Sequence, residues 1–156
     1  MSVSEVVVQG RRLPLSRALV RRVVEAVLKA ERRQGLISVT FLGRDSMRRL
    51  NAAHKGQDRP TDVLAFALEA PPDGLSVVGR ASPRVRPSAR VLGDVYVCSW
   101  VARREAETRR ISLREELIRL VVHGTLHALG HDHPEGTERT RSAMWRRQER
   151  YVEALA

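Results

Sequence analysis

The sequence predicts a single domain built from both β-strands and α-helices. At 156 residues with 42% hydrophobic residues, the chain is long enough to bury one core, and no second domain is expected. Segments with alternating apolar residues, typical of strands, are separated by segments whose apolar residues recur three or four positions apart, typical of helices. The first five elements follow the order β-α-β-α-β.

The first half of the chain predicts three strands separated by two helices. The first helix is indicated by six apolar residues on one face, and it ends at Gly35. Asp45 can cap the second helix, which carries Met47 and Leu50. The predicted strands cover residues 3–8, 36–42 and 61–68, and the predicted helices cover residues 16–34 and 45–54.

The second half predicts one more strand and three helices, all after a loop. Residues 69–91 hold four prolines, two glycines and several arginines, which favour a flexible surface loop. Ser112 followed by Glu115 is a capping box that starts a helix. The closing helix is expected to turn Met144 and Trp145 inward. The strand is predicted at residues 92–98, and the helices at residues 99–110, 112–129 and 137–155.

Four of the five histidines lie within eleven consecutive residues and outline a metal site. On an α-helix, residues four apart differ by about 40° in rotation and roughly 6 Å in rise, so His123 and His127 can aim at one point. Gly130 can adopt the left-handed conformation that ends a helix, which would bring His133 back to the same point. Three imidazoles with an open fourth position are typical of catalytic zinc sites.

Two residues beside these histidines have more than one interpretation. His131 could replace His133 as the third ligand, or it could lie on the substrate side or on the surface. Asp132 could orient a ligand histidine or cap the turn. A lone histidine on an apolar helix face is more often a hydrogen-bonded core residue, but three at this spacing favour a metal.

The spacing H-x-x-x-H-x-x-G-x-x-H is also that of the metzincin metalloproteases, which carry glutamate directly after the first histidine as general base. Gly124 stands at that position. Glycine has no proton-accepting side chain, so the pattern keeps the ligands but lacks the base for peptide hydrolysis. A metallopeptidase is therefore the least favoured function.

The charge of the chain favours a polyanionic partner. The formal net charge is +10, and almost all of the basic residues are arginines. An arginine guanidinium can bind a phosphate through two hydrogen bonds. With 4% aromatic residues, little stacking on bases is expected, so binding should depend on phosphates and on shape.

A cytosolic location is expected from two further features. A single cysteine, Cys98, excludes an internal disulfide and suits a reducing compartment. Residues 1–9 have no basic start followed by an apolar run, and no stretch reaches the length of a membrane span, so neither a signal peptide nor membrane attachment is expected.

Together these residues resemble the YbeY family of bacterial ribosomal-RNA maturation endoribonucleases. The resemblance covers most of the chain, and its most specific part is the histidine motif with glycine in second place. It rests on His123-Gly124-x-Leu126-His127-x-Leu129-Gly130-x-Asp132-His133, on Pro60-Thr61-Asp62-Val63-Leu64 with Phe66, on Leu92-Gly93-Asp94, and on Leu50-Asn51.

The resemblance implies an α+β fold in which a four-stranded mixed sheet packs against helices and a basic cleft holds the metal. It implies that His123, His127 and His133 bind one zinc ion per chain. The implied activity is single-strand-specific RNA cleavage in 16S rRNA 3′-end maturation and ribosome quality control. The implied partners are RNA, as the 16S rRNA precursor, and the small ribosomal subunit or its assembly factors. The alternative is an rRNA assembly factor whose metal only holds the cleft.

The chain departs from the family pattern at two positions near the site. Lys55 stands where the family usually has arginine, so the charge is kept but the bidentate fork is lost, and Arg59 could compensate. His131 stands where the family commonly has tyrosine. We expect Lys55 or Arg59 to balance charge on the phosphate, with Asp132, Asp94 or His131 as candidates for proton handling.

Overall fold

The structure, a computed structural model, describes residues 4–68 and 90–156. Residues 69–89 of the predicted loop lie outside the described residues, as does the first residue of the predicted first strand. Among the described residues, no helix has the length and apolar character needed to cross a membrane.

Four strands form one mixed sheet in the order β1-β2-β4-β3. β2 pairs in parallel with both β1 and β4, whereas β3 runs antiparallel to β4 and forms one edge. The α+β fold with a four-stranded mixed sheet is therefore confirmed. The strands are β1 (Glu5–Gln9), β2 (Leu36–Leu42), β3 (Val63–Ala67) and β4 (Val91–Cys98).

The described residues form five α-helices, and α4 is the central one, since eleven of its 16 residues are buried. It packs against α1, α3 and α5 as well as against β3 and β4. Ser112 caps its first turn by accepting a hydrogen bond from the Glu115 N–H at 3.0 Å, as the capping box predicts. The helices are α1 (Arg17–Ala30), α2 (Arg44–Lys55), α3 (Ser99–Arg109), α4 (Leu113–Ala128) and α5 (Ala143–Leu155).

Alternate residues of β4 serve two apolar clusters on opposite faces of the sheet. Val95 and Val97 enter the larger core, which is built with α1, α4 and α5. Cys98 and Tyr96 enter a smaller cluster with Met47 of α2. The sheet is thus covered by α2 on one face and by the larger group of helices on the other.

The packing of α4 on β4 requires glycine at two positions. A Cβ atom added to Gly124 would collide with the Val95 Cγ1 atom and would lie 3.2 Å from Val63 Cγ2. On the strand side, a Cβ atom added to Gly93 would lie 2.8 Å from the Ala128 Cβ atom. The helix backbone therefore rests almost directly on the strand, and there is no space for the glutamate that a metalloprotease carries after its first histidine.

Several predicted boundaries differ from the structure, and three of them are instructive. The first helix ends at Ala30 and not at residue 34, because Arg32 adopts a left-handed conformation (φ 55°). The cap of α2 is Gly43, and Asp45 lies in the first turn, where its charge still favours the helix dipole. The last strand begins at Val91, one residue before the predicted start.

The predicted closing helix is divided in two. A 3-10 helix covers Gly136–Arg141, and Ser142 then caps α5 by accepting a hydrogen bond from the Trp145 N–H at 3.1 Å. Met144 is buried as predicted, but Trp145 is only half-buried. The break lies at Ser142 because its hydroxyl satisfies the backbone donors that a new helix leaves open.

We predict that Gly124→Ala lowers the free energy of unfolding by about 1–3 kcal/mol, because the added methyl group overpacks the contact with Val95. Urea unfolding would measure this loss. The loss is expected even though alanine has a higher helix propensity than glycine. Val95→Ala supplies the control, since the double variant should be destabilised by less than the sum of the two single variants. Additive losses would contradict the predicted contact.

Candidate metal centre

The C-terminal end of α4 determines where the three clustered histidines lie. His123 and His127 occupy the last two turns of α4. Gly130 follows with a φ of 98°, as the sequence predicts; its N–H donates to the His127 carbonyl at 2.9 Å, and the His131 N–H donates to the Leu126 carbonyl at 3.0 Å. These two bonds form a Schellman motif, which turns the chain back so that His133 approaches the helix.

The imidazoles of His123, His127 and His133 surround one point. One ring nitrogen from each lies within 4.8 Å of the other two, and the ring centroids are 4.6 to 5.0 Å apart. Nε2 of His123 lies 3.4 Å from Nε2 of His133. Two nitrogens bound to a tetrahedral zinc ion at about 2.05 Å would be about 3.4 Å apart. The cluster could therefore hold a metal ion.

A glutamine that the sequence analysis does not identify orients His123. Nδ1 of His123 lies 2.6 Å from Oε1 of Gln148, and both residues are almost fully buried, at 5% and 1% exposure. An amide oxygen only accepts hydrogen bonds, so Nδ1 is the donor and carries the proton. Nε2 is then left with its lone pair towards the cluster, which is the form a ligand requires.

His133 is oriented in the same way by its own loop. Its Nδ1 lies 2.9 Å from the Pro134 carbonyl oxygen, which can only accept, so Nε2 again faces the other imidazoles. Asp132 is exposed, and its Oδ1 accepts the His133 N–H at 2.8 Å. Asp132 therefore stabilises the turn that carries His133.

Burial keeps the histidines of α4 neutral. It lowers the pKa of His123 to about 3, even though the hydrogen bond to Gln148 acts in the opposite direction. Burial also lowers the pKa of His127, and the neighbouring His133 and Lys55 act in the same direction. Neutral imidazoles are the form that binds metal, and a donor set of imidazoles suits zinc, copper, iron or nickel.

The imidazole of His131 does not belong to the cluster of His123, His127 and His133. Its Nε2 is 3.5 Å from Oε2 of Glu31, just after α1. The Glu31 carboxylate also accepts hydrogen bonds from Arg147 at 3.1 Å and from the Tyr151 hydroxyl at 3.0 Å, both on α5. His133, and not His131, is therefore the third histidine of the cluster. His131 contacts Glu31 and so links the loop after α4 to the end of α1 and to α5.

Lys55 and Arg59 lie in different surroundings. Lys55 is the exposed last residue of α2, and its charge acts on His127. Arg59 lies in the connection to β3, where its Nη2 donates to Oε1 of Gln57 at 3.3 Å. The buried Asn51 side chain fixes this connection by donating to the Arg59 carbonyl at 2.8 Å.

Arg139 also lies beside the cluster, and the sequence analysis does not identify it. Burial is the main cause of the low pKa of His123, and the positive charge of Arg139 contributes to it. The guanidinium of Arg139 stacks on Trp145 at 5.6 Å, and its buried Nε has no acceptor among the described residues. Arg139 lies beside the cluster because the chain breaks between the 3-10 helix and α5. A prediction of one continuous helix could therefore not identify Arg139 as a neighbour of the histidines.

The other two aspartates considered from the sequence have local partners. Oδ1 of Asp94 accepts a hydrogen bond from Ser38 Oγ at 2.5 Å, across the β2–β4 register. Oδ1 of Asp62 accepts the Val63 N–H at 2.7 Å, at the start of β3. Both carboxylates therefore support the sheet and its turn, and neither belongs to the histidine cluster.

Comparison with known proteins identifies the family. The family model described as Endoribonuclease YbeY matches residues 10–156. The chain belongs to the YbeY family. An Endoribonuclease YbeY from Brevibacillus brevis is 36% identical over 137 residues, which cover 88% of this chain and 85% of the relative. An Endoribonuclease YbeY from Bacillus subtilis is 33% identical over 146 residues, covering 90% and 88%.

A solved structure has a similar fold. The solution structure of TM1509 from Thermotoga maritima matches with a TM-score of 0.62 and 26% identity, covering 96% of this chain and 88% of that one. The resemblance to YbeY proteins drawn from the sequence is thus confirmed. Membership of this family, together with the lack of space at Gly124, disfavours a metallopeptidase.

We predict that Gln148→Met weakens zinc binding about 10- to 100-fold, because it removes the oxygen that fixes the Nδ1 proton of His123. Competition with a chromophoric chelator would measure the zinc affinity. Gln148→Glu keeps an acceptor and serves as the control, with affinity at least equal to that of the unmodified protein because a carboxylate makes the ligand imidazole more basic. Unchanged affinity in Gln148→Met would show that this hydrogen bond does not orient the ligand.

The low pKa of His123 predicts how the stability of the metal-free protein depends on pH. Between about pH 6.5 and the folded pKa of about 3, the unfolded chain binds a proton at His123 that the folded chain does not. Stability contributed by this residue is therefore present above pH 6.5 and falls with decreasing pH, by about 1.4 kcal/mol per unit at most. Urea unfolding at several pH values in a chelator should give a flatter profile for His123→Gln, and identical profiles would contradict the assignment.

Proposed function

We propose that this protein is a metal-dependent endoribonuclease that cleaves single-stranded RNA during rRNA processing, including 16S rRNA 3′-end maturation and ribosome quality control. The observation that carries the proposal is the convergence of His123, His127 and His133 in a chain of the YbeY family. The net charge of +10 supports an RNA substrate, since RNA is a polyanion.

In this proposal His123, His127 and His133 hold one zinc ion through neutral ring nitrogens. When bound there, the ion would act as a Lewis acid on a phosphate oxygen and bring the pKa of a bound water close to 7. Nickel is the main alternative, since it also accepts imidazole ligands.

The remaining roles fall to charged side chains at the rim of the cluster. Lys55 is proposed to balance the charge that develops on the phosphate oxygens, because its charge already acts on His127. Arg59 is the second candidate, and it would first have to leave Gln57. Asp132 is proposed to handle the proton through Oδ2, because its Oδ1 is held by the His133 N–H.

The cellular setting extends the same proposal. Residues 1–156 are proposed to form one functional domain in the cytoplasm, with the 16S rRNA precursor as substrate. The small ribosomal subunit or its assembly factors are the proposed protein partners. The flexible loop stays a prediction for residues 69–89, which lie outside the described residues, whereas Val91, the last residue of the predicted range, belongs to β4.

The test is cleavage of a single-stranded fragment from the 16S rRNA 3′ end by the purified protein. We expect His127→Ala to lose both bound zinc and cleavage, because two imidazoles are left to hold the ion. Chelation should abolish cleavage in the unmodified protein, and added zinc should restore it. In the same assay Lys55→Ala should be at least 100-fold slower and Lys55→Arg close to normal, because a charge at this position stabilises the transition state.

Contaminating ribonuclease is the main hazard, and His127→Ala purified in parallel controls for it. Equal cleavage by all samples would contradict a metal-dependent activity of this chain. RNA binding without cleavage, at full zinc occupancy, would favour an rRNA assembly factor whose metal only holds the cleft. Loss of activity in Arg59→Ala but not in Lys55→Ala would move the phosphate-binding role to Arg59.

A further inference from the structure

An exposed tryptophan lies between two arginines at the start of α3, outside the histidine cluster. Trp100, the second residue of α3, is 39% exposed, and among the described residues only Leu68 is another large apolar side chain this open to solvent. The guanidinium carbons of Arg44 and Arg104 each lie 4.8 Å from the centre of its indole ring. We call these three residues the Trp100 patch.

The topology of the sheet brings the members of the Trp100 patch together. β2 and β4 are neighbouring parallel strands, so their carboxyl ends meet at the same edge of the sheet. α2 begins with Arg44 shortly after β2, and α3 begins directly after β4. Trp100 and Arg44 therefore meet because the starts of two helices are adjacent, and Arg104 follows Trp100 one turn later on α3.

In the part of the chain that the structure describes, the two arginines of the patch have no ion-pair partner. No carboxylate in residues 4–68 or 90–156 forms an ion pair with Arg44 or Arg104. Other arginines of the fold are paired, as Arg119 is with Glu149 and Arg147 is with Glu31. The patch thus presents two unpaired guanidinium groups around an exposed aromatic ring.

This combination suits a single-stranded nucleic acid. Bases stack on aromatic rings and on guanidinium planes, while arginines bind the phosphates between them. The carboxylates of an acidic protein would satisfy the charges, but they would not stack on the indole ring, whereas every nucleotide supplies both a phosphate and a base. The low aromatic content of the chain predicts little stacking, and the structure places one of its two tryptophans where stacking is possible.

The length of α2 relates the patch to the histidine cluster. α2 runs over 12 residues from Arg44 at the patch to Lys55, whose charge acts on His127. At 1.5 Å per residue, these two ends are about 16 Å apart along the helix. A stacked strand advances about 3.4 Å per nucleotide, so this distance corresponds to about five nucleotides.

We propose that the Trp100 patch is a second RNA-binding site, which holds the single strand about five nucleotides from the bond that is cut. The site rests on the proposed endoribonuclease function for its choice of ligand. A base takes the place of one of the two guanidinium groups over the Trp100 ring, and Arg44 and Arg104 then bind the flanking phosphates. RNA shorter than the span of α2 reaches only the metal centre, so the patch acts on longer RNA alone.

The test is binding of fluorescein-labelled single-stranded RNA of 3 and 12 nucleotides to the zinc-loaded protein, measured by anisotropy with cleavage-resistant phosphorothioate RNA so that binding is separated from cleavage. Trp100→Ala is expected to weaken binding of the 12-mer roughly 5- to 100-fold and to leave the 3-mer unchanged. Trp100→Phe should restore most of the affinity. A double substitution, Arg44→Gln with Arg104→Gln, should reduce the salt dependence of 12-mer binding by about two phosphate contacts.

Arg22→Gln is the matched control, because it removes one exposed positive charge from α1, on the opposite face of the sheet. The proposal is overturned if Trp100→Ala binds the 12-mer normally, if it loses the 3-mer equally, or if Arg22→Gln has the same effect. Normal RNA binding by Trp100→Ala with weakened binding to purified small ribosomal subunits would also overturn it, in favour of a protein partner.

Cleavage assays on the same samples separate this proposal from the proposed function. Cleavage by the unmodified protein, with no length-dependent defect in Trp100→Ala, removes the second site and leaves the endoribonuclease. Absence of cleavage in every sample, with the length-dependent binding defect present, removes the endoribonuclease and leaves the second site.

Discussion

The close approach of α4 to β4 is the constraint on which the rest of the site depends. The contact between Gly124 and Val95 leaves no room for a Cβ atom, so the helix backbone rests on the sheet. This contact sets the position of His123 and His127, which lie on either side of Gly124 along the same helix. It also excludes the glutamate that peptide hydrolysis would need, so one packing contact fixes the ligand positions and limits the chemistry.

The histidine cluster is then held from several directions at once. α5 supplies Gln148, which fixes the proton of the buried His123, and the loop carbonyl of Pro134 does the same for His133. Burial lowers the pKa of His123 and thereby keeps it ready to bind a metal. His131 pairs with Glu31, and this ties the loop after α4 to the rest of the helices. Membership of the YbeY family and the three converging imidazoles both agree with the proposed metal-dependent cleavage of RNA.

The sequence predicts most of the elements and the three clustered histidines, because these depend on local spacing. The helical repeat relates His123 to His127, and the conformation of a single glycine returns the chain to His133. Gln148 could not be predicted, because its role depends on how α5 packs against α4. The Trp100 patch likewise could not be predicted, because it forms where the starts of two helices meet. The break before α5 could not be predicted either, because the residues on both sides of Ser142 have a pattern typical of one helix.

The most direct test of this account is X-ray absorption spectroscopy of the zinc-loaded protein. The account predicts three imidazole nitrogens at about 2.0–2.1 Å and one oxygen in the remaining position, with loss of one nitrogen in His133→Ala. A sulfur ligand, or an unchanged first coordination sphere in His133→Ala, would contradict the assignment of His123, His127 and His133 as the metal centre.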